Sequence, residues 1–361
     1  MIVGVPKEIK PGERRVAMTP AGAHQFVVRG HAVAIETGAG DGSGLSDAEY
    51  VEAGAEIVDS PGEVFGRAEL VMKVKEPLAA EWPLLREGQI LFTYLHLASS
   101  RELTDAVLKS GITGVAYETI ERPDGELPLL TPMSEIAGKL AMQEAAPALN
   151  VHRGGRGILV GGVPGVAPAE VVVIGCGTVG VNAAKVAMGL GAQVTILDIN
   201  LDRLRHLDDI MHGRCITAHS DPSTIARAVT YADVLIGGVL IPGALAPKLV
   251  TEEMVKTMRP GSVIVDVAID QGGCVETSVV TSHREPYVEK HGVLHWGVPN
   301  MPAAVPRTAT LALTNATTPY ALRIADLGVD GAAEAFPEMA LGVNVRDGEI
   351  VHEGVRAAFC V

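Results

Sequence analysis

At 361 residues the chain is long enough for two domains, and its 47% apolar and 20% charged residues are the balance of a globular protein with a sizeable core. Aromatic residues supply only 4%, so that core is built mostly from Ala, Val, Leu and Ile. Lys+Arg 29 against Asp+Glu 43 gives a net charge of −14, which argues against nucleic acid or an anionic membrane surface as a partner.

The N-terminal stretch MIVGVPKEIK is charged and has no long apolar run, so no secretory signal is expected there. In chain order, short β-branched or apolar runs at 2–5, 32–36, 70–74, 90–95 and 113–116 read as strands. Helical patterns with end signals separate them. Thr19 before Pro20 is an N-cap with proline at the first helical position, and Gly30 is its stop. Ser46 with Glu49 forms a capping box closed by Gly54. Strands alternating with helices of this length predict parallel βαβ units.

A helical pattern over 134–146 leads into HRGGRGILVGGVPGVAPAE, read as a linker or hairpin or as an element joining two domains. A second alternating series follows, with strands at 171–174, 193–197, 215–217, 234–236, 263–265 and 293–296. Six strands with intervening helices is the count of a dinucleotide-binding fold. The apolar region 234–247 is broken by prolines and glycines and is too short to span a bilayer. Residues 308–325 read as one long helix. The expected fold class is α/β with two domains, a Rossmann dinucleotide-binding domain and a second Rossmann-like α/β domain.

The run at 171–174 is followed at once by Gly175, Cys176, Gly177, Thr178, Val179 and Gly180, then by a good helix. GxGxxG in this strand–turn–helix setting is a phosphate turn. Gly175 permits the tight turn, Gly177 lets the pyrophosphate approach the backbone, and Gly180 allows close packing of helix on strand. Asp198, 18 residues past Gly180, ends the next strand, where a carboxylate accepts from ribose hydroxyls. NAD is favoured over NADP, with Arg203 and Arg205 nearby as the opposing signal.

Polar groups also stand where an α/β sheet delivers its ligands. Lys75 closes LVMKVK, His96 follows ILFTYL, Asp270 lies past VIVDVA, and Arg15 sits in the charged loop KPGERR. Singly, each reads as well as a surface charge, a structural histidine or an Asx turn. Together they suit a nicotinamide reaction: Arg and Lys hold a carboxylate, His moves protons near neutral pH, and Asp orients an amine or hydroxyl. Cys176, Cys215, Cys274 and Cys360 contain no CxxC pair, and Cys176 reads as a small packing residue. His206, His212, Asp208 and Asp209 read as a solvated helix face, so no metal is expected.

At this point the chain resembles the alanine dehydrogenases. GVPKEIKPGERRVAMTPAG, VKEP, TYLHLA, TPMSEIAGKLAMQ, GGRGILVGGVPGVAP, DQGG and NMPAAVPRTATLALTN carry the likeness, in order, over essentially the whole chain. The alpha subunit of the proton-translocating nicotinamide nucleotide transhydrogenase shares part of the pattern and is the alternative. The resemblance implies two α/β domains around a cleft, with residues 131–307 binding NAD and residues 1–130 plus 308–361 forming a discontinuous substrate domain. It also implies reversible NAD-dependent deamination of L-alanine to pyruvate and ammonia by a cytoplasmic homohexamer.

On the same basis Arg15 and Lys75 hold the substrate carboxylate, His96 is the general acid/base, and Asp270 positions the amine and the carbinolamine hydroxyl. The implied NAD contacts are Ser134, Gly175, Gly177, Thr178, Val179, Gly180, Asp198, Arg203, Ser220, Val239, Leu240, Val267, Ala268, Ile269, Asp270, Val298, Pro299, Asn300 and Met301. Cys176 and Pro299 stand where Ala is commoner, and Val279 and Val280 where many members carry an arginine near the cofactor.

Overall fold

In a computed structural model of the chain, residues 1–239 and 245–359 are described. They form two α/β units, Met1–Met133 with Val305–Val361 and Ser134–Ala304.

In the first unit, β1 (Ile2–Val5), β2 (Ala32–Glu36), β3 (Glu56–Val58), β4 (Leu70–Met72), β5 (Ile90–Thr93) and β6 (Thr113–Ala116) pair in parallel. Their spatial order is β3-β2-β1-β4-β5-β6. In the second unit, β7 (Glu170–Ile174), β8 (Gln193–Asp198), β9 (Ile216–His219), β10 (Val234–Gly237), β11 (Val263–Asp266) and β13 (Val293–Trp296) repeat that order as β9-β8-β7-β10-β11-β13. Beyond β13 lies an antiparallel edge strand, β12 (Tyr287–Lys290). The first sheet is extended by β14 (Val343–Arg346), antiparallel to β6, and by β15 (Glu349–Ile350). Each sheet therefore reverses its winding once, between β1 and β4 or between β7 and β10. That reversal opens a crevice at the carboxyl ends of the strands, where α/β folds bind ligands.

The helices, in chain order, are α1 (Pro20–Val28), α2 (Asp47–Glu52), α3 (Pro61–Arg67), α4 (Arg101–Ser110), α5 (Thr131–Ala148), α6 (Thr178–Gly189), α7 (Leu201–Met211), α8 (Pro222–Tyr231), α9 (Glu252–Lys256), α10 (Pro306–Ala335), α11 (Glu338–Gly342) and α12 (Glu353–Ala358). Their ends follow the sequence signals. The Thr19 side chain accepts from the Gly22 N–H ahead of α1, and the Glu49 carboxylate accepts from the Ser46 N–H at α2. Helix α10 is longer than 308–325 because its pattern continues across a break at Gly328 (φ 73, ψ 174).

The central strands β4, β5, β10, β11 and β13 are buried along their whole length, as parallel strands covered on both faces should be. In the second unit Val172, Leu235 and Ile264 of the sheet pack with Ile225, Val229 and Val255 of α8 and α9. In the first, Val71, Leu91 and Ala116 pack with Leu103 and Val107 of α4 and Val355 of α12. The glycine-rich stretch after α5 folds within the second unit. It makes a tight hairpin with a Val163–Val166 bridge, and a Cβ at Gly155 would lie 2.1 Å from the Ala148 carbonyl oxygen. Among the described residues no helix is long and apolar enough to cross a membrane.

Candidate active site

At the end of β7, Gly175 adopts φ 102, and a Cβ there would meet the Gly238 carbonyl oxygen at 2.9 Å. Gly180, in the first turn of α6, has no room for any side chain, since a Cβ would lie 1.8 Å from the Gly175 oxygen. These two contacts seat α6 on the strand. Gly177, the N-cap, faces open space among the described residues, with no atom of another element within 4 Å of where its Cβ would be. The N–H groups of Thr178 and Val179 lie in the first turn of α6, where no helical carbonyl is available to them.

Asp198 closes β8 nearly buried. One carboxylate oxygen accepts from the Cys176 N–H (2.6 Å) and the other from the Asn200 N–H (2.7 Å), so the acid is locked beside the turn. Ser220 follows β9, where its N–H donates to the Asp198 carbonyl at 3.0 Å. Val239 follows β10 half-buried, and Arg203 stands exposed on α7. Leu240 lies outside the described residues. Helix α5 packs close to this turn: a Cβ at Gly138 would fall 2.2 Å from the Val179 oxygen. Ser134, one turn earlier, therefore occupies the same face of α5. Burial, with the Asp198 charge adding to it, pushes the Cys176 thiol up to about 11, so it stays a protonated packing residue.

After β11 the chain forms a short 3-10 turn, Val267–Gln271, that carries exposed Asp270. Both carboxylate oxygens of Asp270 receive the Asn300 N–H, at 3.3 and 3.2 Å, and Asn300 itself adopts the left-handed conformation (φ 51). Ala268, Ile269, Val298 and Met301 are buried, Val267 and Pro299 half-buried. The loop is held from behind by fully buried Asp266, whose carboxylate accepts from the Cys274 and Val275 N–H groups at 3.2 and 3.0 Å.

In the first unit Arg15, Lys75 and His96 all belong to loops at the carboxyl ends of β1, β4 and β5. Arg15 is 2% exposed and forms a two-pronged pair with Glu13, Nε to Oε1 at 2.7 Å and Nη2 to Oε2 at 2.5 Å. Its Nη1 points to the Met133 sulfur at 3.1 Å. The Lys75 ammonium lies 5.8 Å from the centre of the Tyr94 ring and, among the described residues, forms no ion pair. Burial pushes its pKa down, and the nearby Arg15 and Lys10 charges push the same way. His96 stands half-exposed in the left-handed region (φ 49, ψ 35), and its ring stacks on Tyr94 within 6° of parallel at 5.8 Å. Glu118 fixes that backbone by accepting the His96 N–H at 2.6 Å, with His96 Nδ1 3.8 Å from the same oxygen.

Sequence reasoning missed the acids that hold these groups. Glu8 accepts from the Val74 N–H (2.6 Å), the Lys75 N–H (3.3 Å) and the Lys73 ammonium (3.2 Å). Fully buried Lys73 also donates to Glu81 at 2.7 Å. Burial disfavours the Lys73 charge, but Glu8 and Glu81 outweigh it, and its pKa ends above the ordinary value. Glu13, two residues before Arg15, was the one partner whose position hinted at its role. Among the described residues no three His, Cys, Asp or Glu side chains are placed to hold a metal.

Comparison with known proteins accounts for both units. The family models for the alanine dehydrogenase/PNT N-terminal and C-terminal domains match residues 4–137 and 141–353. An alanine dehydrogenase of Methanococcus maripaludis is 58% identical over 99% of this chain and 96% of its own. A solved L-alanine dehydrogenase superposes with a TM-score of 0.96 at 52% identity, covering 100% of this chain and 99% of that one. A transhydrogenase from Sinorhizobium meliloti superposes at 0.84 with 26% identity, covering 98% and 99%.

Proposed function

Because the chain belongs to the alanine dehydrogenase/PNT family, we propose that it is an NAD-dependent L-alanine dehydrogenase. It interconverts L-alanine, water and NAD with pyruvate, ammonia, NADH and a proton. The observation that carries this reading is the grouping of Lys75 and His96 at the Tyr94 ring, with Arg15 near enough for its charge to act on Lys75, at the strand ends of one α/β unit, in a chain whose other unit carries a phosphate turn. A protein that only carried the nucleotide would need neither a carboxylate clamp nor a proton-transfer group.

Residues 131–307 are assigned to NAD binding and residues 1–130 with 308–361 to substrate binding. The turn suits the cofactor because Gly177 fronts open space and α6 offers backbone donors to a pyrophosphate. Bound NAD would supply the acceptor for a hydride leaving the substrate Cα. Arg15 and Lys75 hold the carboxylate. With Glu13 already pairing Arg15, the uncompensated positive charge there belongs to Lys75, which also polarises the keto oxygen in the reverse direction. His96 gives and takes the protons as water adds to the imine carbon and ammonia departs. Asp270 orients the amine and the carbinolamine hydroxyl. Asp198, locked by two backbone N–H groups, presents its charge to the ribose, which favours NAD over NADP.

The test is NADH oxidation, with pyruvate and ammonia each omitted in turn. Turnover that needs both is the expected result. Tight NADH binding with no ammonia-dependent turnover would overturn the proposal in favour of a transhydrogenase-like carrier. The family resemblance further supports a homohexamer in the cytoplasm, and light scattering of the pure protein reads the assembly.

A further inference from the structure

The Lys75 ammonium stands where its surroundings do not favour it. Burial acts against its charge, and the like charges of Arg15 and Lys10 act the same way. A long, flexible side chain in that field turns out toward water unless the chain that carries it is fixed. The hold falls on the peptide groups of residue 75. Glu8 Oε1, from the loop after β1, accepts from the Val74 and Lys75 N–H groups at 2.6 and 3.3 Å. From the other side Thr93, the fully buried last residue of β5, donates its hydroxyl to the Lys75 carbonyl at 3.0 Å.

Glu8 is itself pinned. Its second oxygen meets the Lys73 ammonium at 3.2 Å, with both side chains buried. Lys73 also pairs with Glu81 at 2.7 Å, and the other Glu81 oxygen accepts from the Leu78 N–H at 2.9 Å, three residues past Lys75. A buried ion cluster gives little net stability over an apolar one of the same shape, so stability alone does not explain this one. Fixed direction does, because a carboxylate locked by Lys73 cannot swing away from the two N–H groups. Resting on the alanine dehydrogenase reading, we propose that Glu8 and Thr93 are positioning residues for Lys75: holding its peptide N–H and C=O, they aim the ammonium at the substrate carboxylate.

Three variants of the full-length enzyme test this. In Glu8→Gln the side chain keeps its shape, but its amide puts N–H groups where one carboxylate oxygen stood, so it cannot serve both Lys73 and the loop. Thr93→Val keeps its shape and removes only the donor to the Lys75 carbonyl. In each, KM for pyruvate should rise ~10-fold, the scale of one buried hydrogen bond, with KM for ammonia and the NADH Kd at wild-type values. Glu81→Gln weakens the same ion cluster without touching residue 75. It should melt lower, as Glu8→Gln does, yet keep KM for pyruvate within about twofold of wild type. Wild-type KM in Glu8→Gln would overturn the hold on the N–H, and in Thr93→Val the hold on the carbonyl. An equal rise in Glu81→Gln would reduce the cluster to a purely structural role and overturn the part given to Glu8. If Glu8→Gln fails to fold, Thr93→Val decides alone. Wild-type enzyme inert toward pyruvate and ammonia would refute the alanine dehydrogenase reading itself, a different result from any of these.

Discussion

The two α/β units have the same parallel strand order and different chemistry at the point where that order reverses. In the second unit the turn after β7 offers backbone: Gly177 against open space and the first N–H groups of α6, with Asp198 and Asp266 both tied to neighbouring N–H groups. In the first unit the equivalent loops offer side chains. Arg15, Lys75 and His96 are each held by an acid or a ring: Glu13 on Arg15, Glu8 on the Lys75 backbone, Glu118 on the His96 backbone, and Tyr94 against Lys75 and His96. A backbone cradle suits phosphates, whose recognition needs donors and little else. Proton transfer and carboxylate clamping need side chains of fixed charge and direction. One topology therefore supplies two kinds of place, and the residues at the strand ends decide what each does.

The contrast breaks most sharply at His96. In His96→Asn the side chain still tolerates the left-handed backbone at φ 49, so the loop keeps its shape while the imidazole is lost. The kcat for reductive amination should fall 10²- to 10⁴-fold, roughly the worth of a general acid/base, with NADH binding at its wild-type value. Retained turnover would remove His96 from the chemistry. The second unit is tested by a pair of alanines. Gly180→Ala places a methyl group where the Gly175 oxygen lies 1.8 Å away, so both melting temperature and NADH affinity should drop. Among the described residues Gly177→Ala meets no other element within 4 Å, at an ordinary φ of −80, so it should melt like wild type and bind NADH about tenfold more weakly. Equal NADH affinity in Gly177→Ala and wild type would mean that the phosphates do not approach that backbone.

The parts of the fold that were legible in the sequence are local in origin. GxGxxG, the Thr19 cap and the Ser46–Glu49 box are written within a few residues, and the buried parallel strands announce themselves as apolar runs. The strands that escaped notice are short or charged: Glu56–Val58 has three residues, Glu349–Ile350 two, Tyr287–Lys290 is a half-exposed edge, and Val343–Arg346 has only two apolar residues in its four. The polar groups at the strand ends were visible because sheets of this class deliver ligands there. Their supports were not, because Glu8 and Lys75 stand 67 positions apart and Glu118 and His96 stand 22 apart. Only the parallel pairing of β1 with β4 and of β5 with β6 brings them together.

The smallest expected effect tests how the first unit tunes its charge. Burial pushes the Lys75 pKa below the ordinary lysine value, and Arg15 and Lys10 lower it further, while Glu76 and Glu13 pull it back up. As pH rises through that lowered value the ammonium is lost, the carboxylate clamp weakens, and KM for pyruvate should climb before an ordinary lysine would titrate. Lys10 is bound to Glu76. In Lys10→Met a repelling charge disappears and the Glu76 carboxylate loses its competing partner, so both changes favour the protonated Lys75. The rise in KM should therefore begin at higher pH than in wild type, and on that rising limb the variant should show a pyruvate KM about twofold lower, the scale of a partly exposed charge contact. NADH affinity, read in parallel, should not respond. An alkaline limb that stays in place would mean that burial and Arg15 alone set the Lys75 charge, and that the outer pair contributes only to the loop's fold.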